Sequence, residues 1–400
     1  MSRTSVTRLA SAFAMAGVLA ACAETPTTSS PVQSDLAPQD APAYSAGVAA
    51  QHIPGRFIVT LRAGSDARGV AREHGVAPDF VYNTVLNGFA GSIADAARAG
   101  LLRDARVERI EQDGVATTQT LQSSATWGLD RTDQRSLPLS TTYSYTNTGA
   151  GVNAYIIDTG IRFAHSQFSG RATSGYDAVD GGLADDCNGH GTHVAGTVGG
   201  STYGIAKSVN LVAVRVLDCG GSGSWSGVIA GMDWVANNHV KPAVANMSLG
   251  GGASTAVDDA LRNLISKGVT VGVAAGNGNR GGRQQDACNY SPARVSEAIT
   301  VGATDKTDTK TSWSNYGPCV DIFAAGSGIT SAWYTSNTAT STISGTSMAT
   351  PHVVGVAALY LQSNTGASPA AVASALRGNA TSGVVKNSST TNPLLLFSNY

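Results

Sequence analysis

Five continuous apolar runs constrain the fold of this 400-residue chain more than any other feature of its sequence. A strand with one solvated face alternates apolar and polar residues, whereas a parallel strand covered by helices on both faces is apolar throughout. Helical patterns rich in Gly and Ala, at residues 191–199 and 225–237, separate the runs. The pattern therefore predicts an α/β fold in residues 120–400, with a doubly wound, mostly parallel sheet and helices on both faces. The runs occupy residues 152–157, 210–217, 243–249, 269–275 and 298–303.

The amino-terminal part of the chain divides into three segments. Residues 1–22 combine a short basic start with a thirteen-residue apolar stretch, which is typical of an export signal and too short to span a membrane. The stretch ends at Cys22 in a pattern that resembles a lipobox, with Cys22 lipidated; ordinary cleavage in an A-x-A pattern is the alternative. Residues 23–54 are rich in Ala, Pro, Ser and Thr, a composition typical of a linker.

Residues 55–119 carry the pattern of a small α+β domain with two short helices. Strands are predicted over residues 56–61, 80–86, 88–93 and 107–111. About sixty residues give only a marginal core. We therefore expect this domain to be stabilised by the larger one that follows.

The balance of charge excludes some classes of function. The chain has 26 basic and 27 acidic residues, so its formal net charge is −1 and it has no basic excess for a nucleic-acid backbone. Only 13% of residues are charged, too few for a disordered polyelectrolyte. A globular protein without a nucleic-acid partner is expected.

Three polar residues follow glycine-rich junctions of the predicted fold. Asp158 ends the run at 152–157, His190 begins a helix of small residues, and Ser347 opens another helix. Reactive groups of a doubly wound sheet lie just past the carboxyl ends of its strands. A serine nucleophile needs a base such as imidazole, and the imidazole needs a carboxylate that fixes its tautomer. The sequence thus predicts a catalytic triad of Asp158, His190 and Ser347.

Asn277, just after the run at 269–275, is predicted to donate a hydrogen bond to a developing oxyanion, together with the backbone at the start of the Ser347 helix. Simpler alternatives exist for each residue. Ser347 and Asp158 are typical capping residues, and Asn277 is a typical turn residue. A zinc site at His190 and His193 lacks the glutamate and the third ligand of a metalloprotease motif, so no catalytic metal is expected.

Three motifs together resemble the signatures of the subtilisin-like serine proteases, or subtilases. Their order along the chain, Asp, His and Ser, is that of subtilisin. The resemblance extends from about Trp127 to Tyr400, and the segment from Trp127 and the cysteine pattern are similar to the aqualysin-like enzymes of the proteinase K subfamily. It implies a subtilisin-like fold and an exported serine endopeptidase of broad specificity. The motifs are Asp-Thr-Gly at 158–160, His-Gly-Thr-His-Val-Ala-Gly at 190–196 and Gly-Thr-Ser-Met-Ala-Thr-Pro-His at 345–352.

The resemblance also implies a cleft for protein and peptide substrates. Two segments would pair with an extended peptide through backbone hydrogen bonds. A third segment would form the wall of the pocket for the residue before the scissile bond, and its small, uncharged residues imply a preference for apolar or aromatic side chains. Trp225 would flank a more distant subsite. The three segments are Gly221, Ser222 and Gly223; Ser248, Leu249 and Gly250; and Ala274, Ala275 and Gly276.

Disulfides and structural calcium follow from the same resemblance. Four cysteines after Cys22 allow three pairings, and the resemblance implies Cys187–Cys219 and Cys288–Cys319. Oxygen ligands suit calcium, although a solvated acidic turn is the alternative for the first of two implied sites. The first site comprises Asp130, Asp133, Gln134, Ser140 and Thr142, and the second comprises Asp321 with the carbonyls of Ser296 and Ala298.

Residues 55–119 resemble the inhibitory propeptide of the family. The resemblance implies a zymogen that processes itself near residues 118–121 and whose propeptide inhibits the enzyme intramolecularly. The product is expected to be secreted, or anchored to the cell envelope through a lipidated Cys22. Two other functions stay open: an inactive binding protein that keeps the fold, and a pro-domain whose role is to inhibit other proteases.

Overall fold

A computed structural model of the chain describes residues 52–114, 120–279, 281–391 and 393–400, all within the unit Ser45–Tyr400. The predicted export signal with Cys22, the predicted linker up to residue 51 and residues 115–119 beside the predicted processing site lie outside the described residues. No helix in the described ranges is long and apolar enough to cross a membrane.

Residues 52–114 form a small unit with the elements β1 (His52–Leu61), α1 (Ala67–Glu73), β2 (Phe80–Tyr82), β3 (Gly88–Ser92), α2 (Asp95–Leu101) and β4 (Val107–Gly114). The strands form a four-stranded antiparallel sheet with strand order β2–β3–β1–β4. The core packs Val59 of the sheet against Val70 and Leu101 of the two helices.

Two strand bounds in this unit differ from the sequence prediction by four residues. Strand β1 begins at His52, inside the segment predicted as a linker. The strand predicted over 80–86 ends at Tyr82, because the chain turns out of the sheet. In that turn Val85 is 90% exposed, and Asn87 donates hydrogen bonds to two backbone oxygens of the segment after β1.

From residue 120 onward the elements are first β5 (Thr120–Ser123), α3 (Trp127–Thr132), β6 (Thr142–Tyr145), β7 (Asn153–Asp158), β8 (Ala172–Asp177), α4 (His190–Gly199), β9 (Asn210–Arg215), α5 (Trp225–Asn238), β10 (Ala243–Met247) and β11 (Gly251–Gly252). There follow α6 (Thr255–Ser266), β12 (Thr270–Ala274), a 3-10 turn (Ala287–Asn289), β13 (Tyr290–Ser291), β14 (Ile299–Thr304), β15 (Ile322–Ala325), β16 (Ile329–Ala332), β17 (Thr340–Ile343), α7 (Thr346–Ser363), α8 (Pro369–Asn379), β18 (Thr381–Ser382) and β19 (Leu394–Leu395). Nine of these strands form one sheet with strand order β18–β19–β15–β14–β12–β10–β7–β9–β8. Its neighbours from β8 to β19 are parallel, and the pair β18–β19 is antiparallel.

Both faces of the sheet are buried, as the apolar runs predict. In β7, Ala154 and Ile156 join the core on the side of α4 and α7, whereas Tyr155 and Ile157 join the core on the side of α5 and α6. The α/β fold class with helices on both faces, preceded by a small unit of strands and helices, is therefore confirmed.

The topology brings the polar residues of the motifs to one edge of the sheet. Strands β12, β10 and β7 are neighbours, and they end at Ala274, Met247 and Asp158. Since parallel strands end at the same edge, the segments that follow them meet there. Helices α4 and α7 carry His190 and Ser347 in their first turns.

Candidate active site

Asp158 and His190 are directly hydrogen-bonded. The Asp158 carboxylate is fully buried, and its Oδ1 lies 2.7 Å from Nδ1 of His190. The same oxygen accepts the N–H of Thr159 at 2.8 Å. The turn that follows Asp158 needs Gly160, whose φ is +109°. A Cβ at this position would lie 2.7 Å from two backbone oxygens, so no larger residue fits. Asp158 therefore binds the imidazole of His190 as well as the backbone of its own turn.

A second buried acid, Asp186, shapes the turn that precedes His190, and the sequence prediction missed it. Its Oδ1 accepts hydrogen bonds from Thr159 and from the N–H groups of Asn188 and Gly189, and its Oδ2 accepts two from Thr192. Asp186 therefore ties the start of α4 to the end of β7. An acid just before a glycine-flanked helix start is the signal that identifies such a residue.

The charge around His190 favours its protonated form. Burial disfavours the imidazolium, but the carboxylate of Asp158, with a smaller contribution from Asp186, outweighs burial and raises the pKa of His190 above its usual value. An imidazole in this setting accepts a proton readily and is stabilised once it has done so.

The serine of the third motif is bound to the strand edge in two directions. The Ser347 hydroxyl donates to the carbonyl of Ser248 at 3.1 Å, and the Ser248 hydroxyl donates to the carbonyl of Ser347 at 2.8 Å. Pro351, in the second turn of α7, has no N–H for the carbonyl four residues earlier, and Ser248 satisfies that carbonyl instead. Ser347 does not cap the helix, because the residue at the N-cap is Gly345.

Asn277 reaches across the edge to the start of α7. Its Oδ1 accepts hydrogen bonds from the N–H and the hydroxyl of Thr346, at 2.8 and 2.9 Å. Thr346 is fully buried, so this contact orients the amide and directs its Nδ2 away from Thr346. The side-chain oxygen is therefore bound to the start of α7, in contrast to the simple turn residue of the alternative interpretation.

All ten predicted substrate-binding residues line two adjoining grooves. One groove, of ≈ 640 Å³, contains His190, the 221–223 segment and Trp225, whose ring packs beside Gly251. The other, of ≈ 280 Å³, contains Ala274, Ala275, Gly276, Asn277 and Ser347. The two share Ser248, Leu249 and Gly250, so His190, Asn277 and Ser347 border one continuous edge.

The other two histidines of the motifs are structural. His193 and His352 are buried and bind the carbonyls of Ile329 and Met348. Burial lowers the pKa of each to about 4. Both rings are therefore neutral at ordinary pH and engaged with the backbone.

Two disulfides form with the implied pairing, Cys187–Cys219 and Cys288–Cys319. The first joins the turn before His190 to the segment at 220–223. Arg215 lies beneath it, with its guanidinium 3.4 Å from Sγ of Cys187.

The residues of the first implied calcium site fit a cation. Asp130 is buried and accepts hydrogen bonds from Ser140 and Thr141, while Oδ1 of Asp133 is buried with no hydrogen-bond partner in the described part of the chain. Burial raises the pKa of Asp133 to about 7. The nearby Arg131 pairs with Asp308 and compensates neither carboxylate.

Neutral oxygens surround this pair of acids. The hydroxyls of Ser140 and Thr142 lie 2.7 Å apart, and the amide nitrogen of Gln134 donates to two backbone carbonyls, which leaves its oxygen for a ligand role. Within the described ranges no three acids, histidines or cysteines cluster as a metal site, so a cation here would depend on two carboxylates and neutral oxygens.

The second implied site does not fit a cation in the same way. Arg377 lies 3.3 Å from Oδ1 of Asp321, and the N–H of Thr300 donates to Oδ2. The positive charge that calcium would supply near the Ser296 and Ala298 turn is already present as a guanidinium. Burial still raises the pKa of Asp321, which shows how incompletely that carboxylate is solvated.

A doubly wound sheet with a buried Asp–His pair and a serine at a helix start, beside a peptide-sized groove, is typical of serine hydrolases. Comparison with known proteins agrees with this class. The model of the Subtilase family matches residues 149–394, more than half of the chain. The chain belongs to the subtilase family and is a serine endopeptidase.

Individual relatives support the same placement. The chain is 54% identical to an extracellular serine proteinase of Thermus sp. (strain Rt41A), over 95% of this chain and 96% of that protein. It is 53% identical to alkaline serine exoprotease A of Vibrio alginolyticus, over 80% of this chain and 60% of that longer protein. The crystal structure of a cold-adapted subtilisin-like serine proteinase matches with a TM-score of 0.67 and 56% identity, covering 70% of this chain and all of that one.

Proposed function

We propose that this subtilase cleaves peptide bonds with Ser347 as nucleophile, His190 as general base and acid, and Asp158 as the carboxylate that orients His190. The observation that carries the proposal is the 2.7 Å bond between the buried Asp158 and Nδ1 of His190 at the edge that also carries Ser347. An imidazole bound at Nδ1 presents Nε2 to the groove as the proton acceptor.

The proposed reaction starts with a change of partner by the serine hydroxyl. Ser347 exchanges the carbonyl of Ser248 for Nε2 of His190 and attacks the carbonyl carbon of the scissile bond as His190 takes its proton. The N–H of Ser347 and Nδ2 of Asn277 stabilise the oxyanion. His190 then gives the proton to the leaving amine, and water releases the acyl-enzyme by the reverse sequence.

Substrates are extended segments of proteins and peptides, held by backbone pairing with the segments at 221–223 and 248–250. The groove of ≈ 280 Å³ takes the side chain before the scissile bond. Its walls are Ala274, Ala275 and Gly276, and none of the described residues that line it is charged. A broad preference for apolar or aromatic side chains follows from that lining.

We further propose that the chain is an exported zymogen, with residues 55–119 as its inhibitor and processing near residues 118–121. The separate sheet and core of residues 52–114 support a distinct inhibitory unit, and its exposed Phe80 and Leu102 offer apolar contacts. Two disulfides agree with export. Mass spectrometry of the mature amino terminus distinguishes a lipidated Cys22 from a secreted product.

Calcium at the site of Asp130 and Asp133 completes the proposal. Two adjacent carboxylates with an unpartnered oxygen gain most from a bound cation, whose role here is structural. No catalytic metal takes part, because the triad and the oxyanion donors supply each step of the reaction.

The experiment that tests the proposed function compares the wild-type chain with Ser347→Ala. We expect the variant to accumulate as unprocessed precursor without casein hydrolysis, because the nucleophile is missing, while its melting temperature stays near that of the wild-type precursor. Casein hydrolysis and processing at wild-type rates in Ser347→Ala would rule the mechanism out.

A further inference from the structure

One buried side chain fixes the backbone on both sides of Asn277. Asn315 is only 2% exposed, and its Nδ2 donates to the carbonyl of Ala275 at 2.9 Å. Its Oδ1 accepts the N–H of Gly278 at 3.1 Å, and its own N–H donates to the carbonyl of Gly276 at 2.9 Å. Three hydrogen bonds from one residue thus bracket the proposed oxyanion donor.

The contact between this side chain and the loop is close and specific. A Cβ at Gly276 would lie 2.5 Å from Nδ2 of Asn315, so the amide packs directly against the backbone. Oδ1 accepts a second hydrogen bond from the N–H of Gln285 at 2.8 Å. An amide is the side chain that donates to one carbonyl and accepts two N–H groups at the same time.

Two residues therefore position the Asn277 amide. Thr346 binds its Oδ1 and determines the rotation of the amide group, whereas Asn315 determines where the backbone of the loop lies. An oxyanion donor stabilises the transition state only when it is already in place, and small misplacements are costly.

We propose that Asn315 is a positioning residue that acts on catalysis through Asn277. The inference rests on the proposed function, because it assigns Asn277 to the oxyanion. Asn315 touches no reacting atom; it borders the ≈ 280 Å³ groove and fixes the loop that forms the groove wall.

A double-mutant cycle on the full chain tests this inference, with a chromogenic peptide as substrate and with active sites counted by fluorophosphonate titration. Asn277→Ala is expected to lower kcat by about 10²–10³. Asn315→Ala is expected to lower kcat by about tenfold, since the loop shifts. In the Asn277→Ala background the same change should cost less than about twofold, because the group through which it acts is gone.

A matched control separates positioning from general stability. Asn147→Ala removes side-chain hydrogen bonds to Leu359 and Ser363 near the end of α7, and Asn147 is not among the residues that line the two grooves. The substitution should lower the melting temperature without changing kcat. If Asn315→Ala does not fold, Asn315→Asp keeps the oxygen that accepts from Gly278 and Gln285 and enters the cycle in its place.

The outcomes distinguish this inference from the proposed function. An inactive wild-type chain contradicts the proposed function itself. Additive losses in the cycle, an unchanged kcat in Asn315→Ala or an unchanged kcat in Asn277→Ala overturn the role of Asn315 while leaving the endopeptidase activity in place. Loss of kcat in Asn315→Ala that vanishes in the Asn277→Ala background supports it.

Discussion

At the scale of single residues, the position of one imidazole decides the chemistry. His190 is bound through Nδ1 to Asp158, and its turn is built by the five hydrogen bonds that Asp186 accepts. The two acids differ in role: Asp158 contacts the ring, and Asp186 contacts the backbone that carries the ring. The electrostatic consequence is the raised pKa of His190.

Asp158→Asn should therefore change both the rate and the pH profile. We expect kcat to fall by about 10⁴-fold, because the imidazole loses the partner that orients it. His190 must be neutral to act as a base, so activity rises as pH increases through its pKa. Without Asp158 only burial and the more distant Asp186 act on the ring, and the acidic limb of kcat/KM should move to lower pH.

The measurement is the pH dependence of kcat/KM for wild type and variant over pH 4–9. An acidic limb in Asp158→Asn that stays at the wild-type position would contradict the assigned contact.

The raised pKa of His190 also makes the stability of the fold depend on pH. The Asp158–His190 pair stabilises the fold fully below the usual pKa of histidine, and this contribution is lost as pH rises through the raised pKa.

At the scale of elements, the site is built from strand ends and helix starts that are fastened to one another. The disulfide Cys187–Cys219 joins the turn before α4 to the segment at 220–223, and the reciprocal Ser248–Ser347 bonds join the end of β10 to α7. The segments proposed to hold substrate are thereby connected to the helices that carry His190 and Ser347.

Removal of either disulfide should lower the stability of the fold, but only removal of Cys187–Cys219 should weaken the binding of extended substrates. The bridged loops span 32 and 31 residues, so loss of each bridge should cost about 3–4 kcal/mol by chain entropy. The Cys187→Ser, Cys219→Ser variant should also raise KM for a tetrapeptide substrate more than for a single-residue ester, because the 220–223 segment is released.

The double variant Cys288→Ser/Cys319→Ser is the matched control, because its disulfide closes a loop of nearly the same length. Urea unfolding gives the stability of both variants, and steady-state kinetics with the two substrates give the KM ratio. Equal KM ratios in the two variants would refute the link between the first disulfide and peptide binding.

At the scale of the whole molecule, charge compensation differs among the implied cation sites. Asp321 has an internal partner in Arg377, whereas no guanidinium or ammonium of the described residues pairs with Asp130 or Asp133. The fold is therefore expected to depend on calcium at a single place, beside α3.

Chelation should lower the melting temperature of the precursor carrying Ser347→Ala, which avoids autolysis. Calcium at one hundred times its Kd contributes about 2.7 kcal/mol, which corresponds to several degrees. Adding Asp133→Asn should abolish the difference between calcium and chelator, because the carboxylate ligand is gone. Differential scanning calorimetry measures the melting temperature of each variant in calcium and in chelator.

Asp233→Asn, which removes the same charge from an exposed position on α5, should leave the calcium effect intact. If the precursor that carries Ser347→Ala alone melts at the same temperature in calcium and in chelator, the calcium proposal is contradicted.

The sequence predicted the parts of the molecule that follow from local pattern. Continuous apolar runs predicted β7, β9, β10, β12 and β14, because strands covered on both faces have no solvated side. Each residue of the proposed triad lies at a glycine-flanked junction where a strand or a helix must turn, and this pattern made it a candidate.

Long-range contacts explain what the sequence could not predict. Asn315 acts through backbone N–H and C=O groups of segments distant along the chain, and such groups are present in every residue and leave no trace in the sequence. Asp186 binds mainly its own turn, but its bond to the Thr159 hydroxyl joins segments 27 residues apart. The pairing of Asp321 with Arg377 depends on the packing of α8, 56 residues away, and the resemblance that implied a cation site at Asp321 gave no sign of it.

The most direct test of the central claim is to map the site of covalent modification by a fluorophosphonate with peptide mass spectrometry. In the wild-type chain the adduct should lie on Ser347, and His190→Ala should suppress it, because an unassisted serine hydroxyl is a poor nucleophile. An adduct on another serine, or labelling of His190→Ala at the wild-type rate, would contradict the proposed triad.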